Sequence, residues 1–221
     1  MTRSAAAPYT APFAVFLALL ILHTVRPLPD FADQAVGLAA MTLVLCLVAR
    51  PVLDFRVLRW MPTLLVGAGI FVLWIGPDLL FPHYRHSTLF ENAVLGTARA
   101  SLSEGARRDP VVLSMRVVRS VLIVPLAEEL FWRGWLMRWL IDADFQRFPL
   151  GAYTPASFWA VAVLFAAEHG PYWDVGLAAG VIFNLWMVRT KSLGDLIVAH
   201  AVTNACLSAY VVAAGKWEYW L

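Results

Sequence analysis

Glu128 and Glu129 stand side by side in a long apolar run, with Arg133 four residues beyond the second of them. A charge at the centre of a bilayer costs at least about 2.5–3.5 kcal/mol, so such residues usually face a protein interior and have a task there. On a helix each residue turns by about 100°. Glu129 and Arg133 therefore share a face, with the acid on the N-terminal side, the favourable order for an intrahelical ion pair. Glu128 and Arg133 point about 140° apart. The spacing predicts different roles for the two carboxylates. Glu129 is neutralised by Arg133, and Glu128 is left free to face a cavity as a general base. A structural ion network or an interfacial helix end is the competing reading. Pro125, just upstream, predicts a kink, because it frees the carbonyl four residues earlier.

Two further polar groups interrupt apolar runs. Phe165-Ala166-Ala167-Glu168-His169 ends one run at Gly170-Pro171, and His200 and Asn204 lie four apart within another. Taken singly, His169 reads as a helix cap or a satisfied polar residue. The His200–Asn204 face reads as interhelical hydrogen bonding, worth about 0.6–2 kcal/mol per bond in a membrane. Taken together, the three groups supply a carboxylate, two imidazoles and a carboxamide. A carboxylate with a histidine can hold and deprotonate a water, and a second histidine with an asparagine can stabilise a developing oxyanion. Those parts would suffice for amide hydrolysis without a covalent enzyme intermediate. Glu168 is the odd residue. Facing the cavity, it would disturb the water site; the 100° turn from His169 lets it point elsewhere.

The elements that must position these residues are membrane helices. The 221 residues are 61% hydrophobic and 14% charged, where a soluble domain carries about 25% charged residues. A bilayer core takes about 20 apolar residues in helical form. Spans are expected at about 11–25, 31–48, 60–81, 111–141, 157–169, 175–188 and 193–214. The expected fold is all-α, a polytopic transmembrane helical bundle of about seven spans, or eight if residues 82–110 add a crossing. One membrane domain, 1–221, is expected, with 115–214 carrying the polar motifs and 1–110 supplying additional membrane helices. The first run lacks a small-residue cleavage site after it, so an uncleaved helix is expected rather than a signal peptide.

The net charge of +2, with no basic run interleaved with aromatics, gives no reason to expect nucleic acid as a partner. Cys46 and Cys206 sit in apolar stretches and read as small buried hydrophobes. Trp60, Trp139, Trp173, Trp217 and Trp220 lie near span ends, where an amphipathic ring prefers the headgroup level. Basic residues after the second span (Arg50, Arg56, Arg59), around the end of the fourth (Arg138, Arg147) and after the sixth (Arg189, Lys191) place the N-terminus on the cytoplasmic side. Arg85, Arg99, Arg107 and Arg108 on the opposite side argue against that orientation.

The trio Glu128-Glu129 through Arg133, Phe165 through His169, and His200 through Asn204 resembles the EExxxR, FxxxH and HxxxN motifs of the CAAX-processing and bacteriocin-processing (CPBP, or Abi) intramembrane proteases. That family includes the type II CAAX prenyl endopeptidases. The layout also looks like the CAAX-protease-related proteins found near bacterial exosortase systems. The resemblance implies a metal-independent, cofactor-independent glutamate endopeptidase of the bacterial inner membrane. Its substrate would be a membrane-associated or lipidated polypeptide. Glu128 would be the general base, His169 would help it bind the catalytic water, His200 and Asn204 would form the oxyanion hole, and Glu129 and Arg133 would brace the site. Two alternatives stand beside it. Glu128, His169 and His200 could ligate zinc, or the cluster could serve packing or ion passage in a membrane scaffold, immunity protein or transporter-like protein. No internal repeat of the transporter kind is present.

Overall fold

The computed structural model describes residues 5–81 and 83–220, and it contains seven main helices and no strand among them. They are α1 (Ala7–Val25), α2 (Asp30–Val44, continued by wider and tighter turns to Val52), α3 (Trp60–Leu80), α4 (Pro110–Trp139), α5 (Pro155–Ala167), α6 (Trp173–Thr190) and α7 (Leu193–Ala214). Local chemistry sets the ends. Asp109 accepts from the amides of Val111 and Val112 ahead of Pro110, which suits the first turn of α4. Thr154 and Ser157 form a capping box at α5. Ser192 caps α7, and Gly215 ends it in the left-handed region.

Among the described residues five helices are long and apolar enough to cross a membrane: α1, α2, α3, α4 and α7. The fifth and sixth expected spans are helices but do not meet that measure. At 13 residues, α5 is about 20 Å long against a hydrocarbon core of about 30 Å. It stops at Ala167, and Gly170, with a φ of +51°, turns the chain away just beyond it. It packs along α6, which returns beside it. No eighth crossing forms: residues 83–109 hold single 3-10 turns at Tyr84–His86 and Ala106–Arg108 and no longer helix.

Several charges have a different place from the one the sequence suggested. Arg85 is not a loop charge but a buried one. It donates to Asp78, Asp174 and the Pro171 carbonyl and lies over the Tyr172 ring at 4.2 Å. Burial works against its charge, but the two carboxylates outweigh that and raise its pKa. Arg138 is buried too, donating to the carbonyls of Gly134 and Phe148. Neither side chain carries weight in a count of loop charges. Trp220 is 5% exposed rather than at a headgroup surface. Its carbonyl accepts from the Ser101 amide and hydroxyl. Cys46 is exposed on the bundle's outer face rather than buried, and both cysteines are free.

The site sits where α4 crosses α7 and the α5–α6 pair closes against them. Helix α3 packs lengthwise on α7 at a small residue. Gly67 gives its carbonyl to the Thr203 hydroxyl at 2.9 Å, and a β-carbon there would strike the Ala199 carbonyl and the Val202 side chain. Backbone on α7 cannot yield as a flexible side chain would. Gly67→Ala should therefore cost about 1–3 kcal/mol, read as a lower Tm of the purified protein in detergent. An unchanged Tm would show that the α3–α7 approach is looser than described.

Candidate active site

Helix α4 is not regular around its acids. A wider π-type turn at Arg119–Ile123 precedes Val124–Glu129, and a second follows at Leu130–Leu136. Pro125 explains the first. It has no N–H and its ring crowds the carbonyl of Val121, and a widened turn accommodates both. Such backbone irregularity is tolerated at membrane depth where neighbouring protein covers it.

Glu129 and Arg133 are fully buried, at 0% exposure each. The Arg133 Nη1 donates to both Glu129 oxygens, at 3.2 and 3.1 Å. Its Nε donates to the Asn184 side chain at 2.8 Å and its Nη2 to the Gly180 carbonyl at 3.2 Å. The guanidinium lies over the rings of Phe165 and Phe183, 4.5 and 5.4 Å from their centroids. Asn184 donates in turn to the Phe158 carbonyl at 2.8 Å. Every donor and charge in this knot is answered, as burial of an ion pair requires.

Glu129 reaches further. Its Oε1 lies 2.7 Å from His200 Nδ1. A carboxylate already accepting from an arginine can only accept, so Nδ1 carries the proton and Nε2 is left towards the cavity. The ring of His200 stacks on Phe183 at 4.9 Å. His169 is fixed in the same way by a different acceptor. Its Nδ1 is 2.6 Å from the Phe165 carbonyl one turn earlier. A carbonyl cannot donate, so Nδ1–H does, and Nε2 is an acceptor. Trp74 packs on that ring edge-on at 5.1 Å.

Glu128 is 5% exposed, and its Oε2 is buried without a hydrogen-bond partner. His200 Nε2 lies 3.9 Å from that oxygen, beyond hydrogen-bond range. Asn204 donates one amide hydrogen to the Ser120 carbonyl at 2.8 Å and has a second to give. Glu128, His169, His200 and Asn204 all line one cavity of about 460 Å³, with Phe165, Phe183 and Ile70 among its apolar walls. Glu168 also lines it, which the sequence reading did not expect. Trp132 Nε1 donates to its Oε1 at 3.1 Å and sets its direction.

Sequence reasoning brought Glu128, His169, His200 and Asn204 to one place but missed Asn184, Gly180, Trp132 and the Glu129–His200 bond. A lone asparagine between Phe183 and Leu185 was a readable signal for the first. Among the described residues no group of three His, Cys, Asp or Glu side chains is arranged to hold a metal ion. The zinc alternative asks that of Glu128, His169 and His200.

Residues 110–206 match the family model of the type II CAAX prenyl endopeptidases, Rce1-like. All three motifs lie inside the matched stretch. The Rce1-like match supports a CAAX-type intramembrane protease in general: a hydrolase, integral to a membrane, with a membrane-associated polypeptide as substrate. No curated protein and no solved structure matches the chain.

The geometry separates the two acids by stability. Glu129→Ala leaves Arg133 and His200 buried without their shared partner, and breaking a buried pair costs about 3–5 kcal/mol. Glu128→Ala removes a carboxylate that binds no protein group. Thermal unfolding in detergent should show Glu129→Ala well below the unmodified protein and Glu128→Ala near it. Equal Tm values for the two variants would contradict the pairing.

Proposed function

We propose that the protein is an intramembrane endopeptidase that cleaves a peptide bond by attack of a water activated by Glu128. The observation that carries this is Glu128 itself, a buried carboxylate with an unpartnered oxygen in a cavity that also presents His169, His200 and Asn204. A water between Glu128 and His169 gives one hydrogen to each, Glu128 as base and His169 Nε2 as acceptor. Its oxygen bonds to the scissile carbonyl carbon as Glu128 takes the proton. The carbonyl oxygen becomes an oxyanion, which accepts from the second Asn204 amide hydrogen and, when it carries a proton, from His200 Nε2. Glu129 opposite Nδ1 holds the ring in that orientation, as a carboxylate behind a catalytic histidine does elsewhere. When the C–N bond breaks, Glu128 returns its proton to the leaving amine. Water has then been divided, its hydroxyl to a new carboxylic acid group and its proton to a new amine. Glu129 and Arg133 touch no reacting atom in this scheme; they hold His200 in place.

Apolar walls at Ile70, Phe165 and Phe183 lower the local dielectric, which strengthens each of these interactions. Against a membrane-anchored polypeptide in detergent or liposomes, Glu128→Gln should lower kcat by about 10²–10⁴-fold with Tm unchanged. Asn204→Ala should lower it by about 10²–10³-fold. A chelator should leave the rate as it was. Retained turnover in Glu128→Gln, or loss of turnover to a chelator with recovery on adding zinc, would overturn the scheme.

A further inference from the structure

A second cavity, of about 210 Å³, opens between the end of α1 and the start of α2. Both helices are long and apolar enough to cross a membrane, and residues 26–29 join them. The cavity therefore lies where spanning helices meet the headgroup layer. Neither helix carries any of the three motifs, and both lie outside the matched stretch. The polar wall is rich in acceptors. Gln34 is 3% exposed. Its Nε2 donates to Asp33 at 3.1 Å, while its Oε1 is buried with no hydrogen-bond partner among the described residues. The other Asp33 oxygen accepts from His23 Nδ1 at 3.1 Å, and Asp30 lines the same wall. Arg116 and Arg119 of α4 form the floor, with Arg119 3.8 Å from Asp33, and Arg26 stands exposed at the rim. The remaining wall is apolar: Leu20, Leu22 and Val36 line the cavity and are exposed on the bundle's surface.

We infer that this cavity binds the phosphoethanolamine headgroup of a phospholipid. The ammonium sits on Gln34, Asp33 and Asp30, the phosphate beside Arg26, and the acyl chains along Leu20, Leu22 and Val36. A buried acceptor left unmet is costly, so Gln34 Oε1 needs a donor. The carboxylates beside it specify a cationic one. A primary ammonium has three N–H groups, enough for the Gln34 oxygen and both acids. Acids inside and an arginine at the rim match an ammonium that trails a phosphate. A quaternary ammonium has no N–H and leaves Gln34 unmet. An anionic headgroup without an amine leaves Gln34 unmet too and sets its charge against Asp30 and Asp33. A lysine side chain offers the same ammonium, but no phosphate for Arg26 and no chains for the exposed apolar wall. The inference does not depend on hydrolysis at Glu128.

Native mass spectrometry of the detergent-purified protein, with dioleoyl lipids added singly at equal concentration, tests this. Phosphatidylethanolamine should be retained about tenfold more than phosphatidylcholine, a difference that one charge-assisted hydrogen bond supplies. It should also exceed phosphatidylglycerol. Gln34→Met keeps the bulk and removes the oxygen, so it should erase most of the preference over phosphatidylcholine; Gln34→Glu should keep it. The comparison of lipids on the unmodified protein needs no variant, so a variant that fails to fold leaves the test intact. Glycerophosphoethanolamine, which lacks acyl chains, and N-acetyl-lysine amide should not displace the lipid at the same concentration. Equal retention of phosphatidylethanolamine and phosphatidylcholine overturns the inference, as does a preference undiminished in Gln34→Met. Retention of phosphatidylglycerol above phosphatidylethanolamine assigns the cavity to anionic lipid and overturns it too. Displacement by glycerophosphoethanolamine assigns it to a soluble ligand, and displacement by the lysine amide to a polypeptide; either result also overturns it.

Discussion

The Glu129 carboxylate holds α4 to α7 by accepting from Arg133 on its own helix and from His200 on the other. An ion pair buried at 0% exposure is costly to desolvate and survives only when its remaining donors are answered. Asn184 and the Gly180 carbonyl, both on α6, answer them, and Phe165 and Phe183 close the faces of the guanidinium. Four helices thus converge on one charge. The cluster leaves little freedom in how α4, α5, α6 and α7 meet, because moving any one of them strands a buried donor.

That constraint is also what frees the neighbouring acid. With Glu129 consumed, Glu128 turns a further 100° around the helix into the cavity, where its Oε2 finds no protein donor. The same knot fixes the proton on His200 Nδ1, as the Phe165 carbonyl does for His169. Two imidazoles therefore present their Nε2 atoms to one chamber. The short α5 matters here: it ends at Ala167, and the turn just past it brings His169 to the cavity that Glu128 lines.

What the sequence made legible and what it hid divide along a physical line. Hydropathy marked all seven helices, and the 100° arithmetic sorted Glu128 from Glu129, because both depend on neighbours within one helix. The spacing of Phe165 and His169 and of His200 and Asn204 placed each pair on one face for the same reason. Contacts between helices carry no such period. Hence the Glu129–His200 bond, the Asn184 support, the Trp132 hold on Glu168 and the pairing of Arg85 with Asp78 and Asp174 are invisible in the sequence. The length of α5 was legible as well, since the expected 157–169 and the observed helix both have 13 residues; its apolar composition reads as a span although that length is short of a full crossing.

The central claim is that the adjacent carboxylates divide the work, one bracing and one activating water without bonding to the substrate. Oxygen tracing tests it most directly. A single turnover in water enriched in the heavy isotope ¹⁸O, followed by mass spectrometry of the product and of the peptide carrying Glu128, reads where the solvent oxygen goes. The account predicts label in the new product carboxylate and none in the Glu128 side chain. Label in Glu128 with an unlabelled product would mean that this acid attacks the peptide bond itself, and would contradict it.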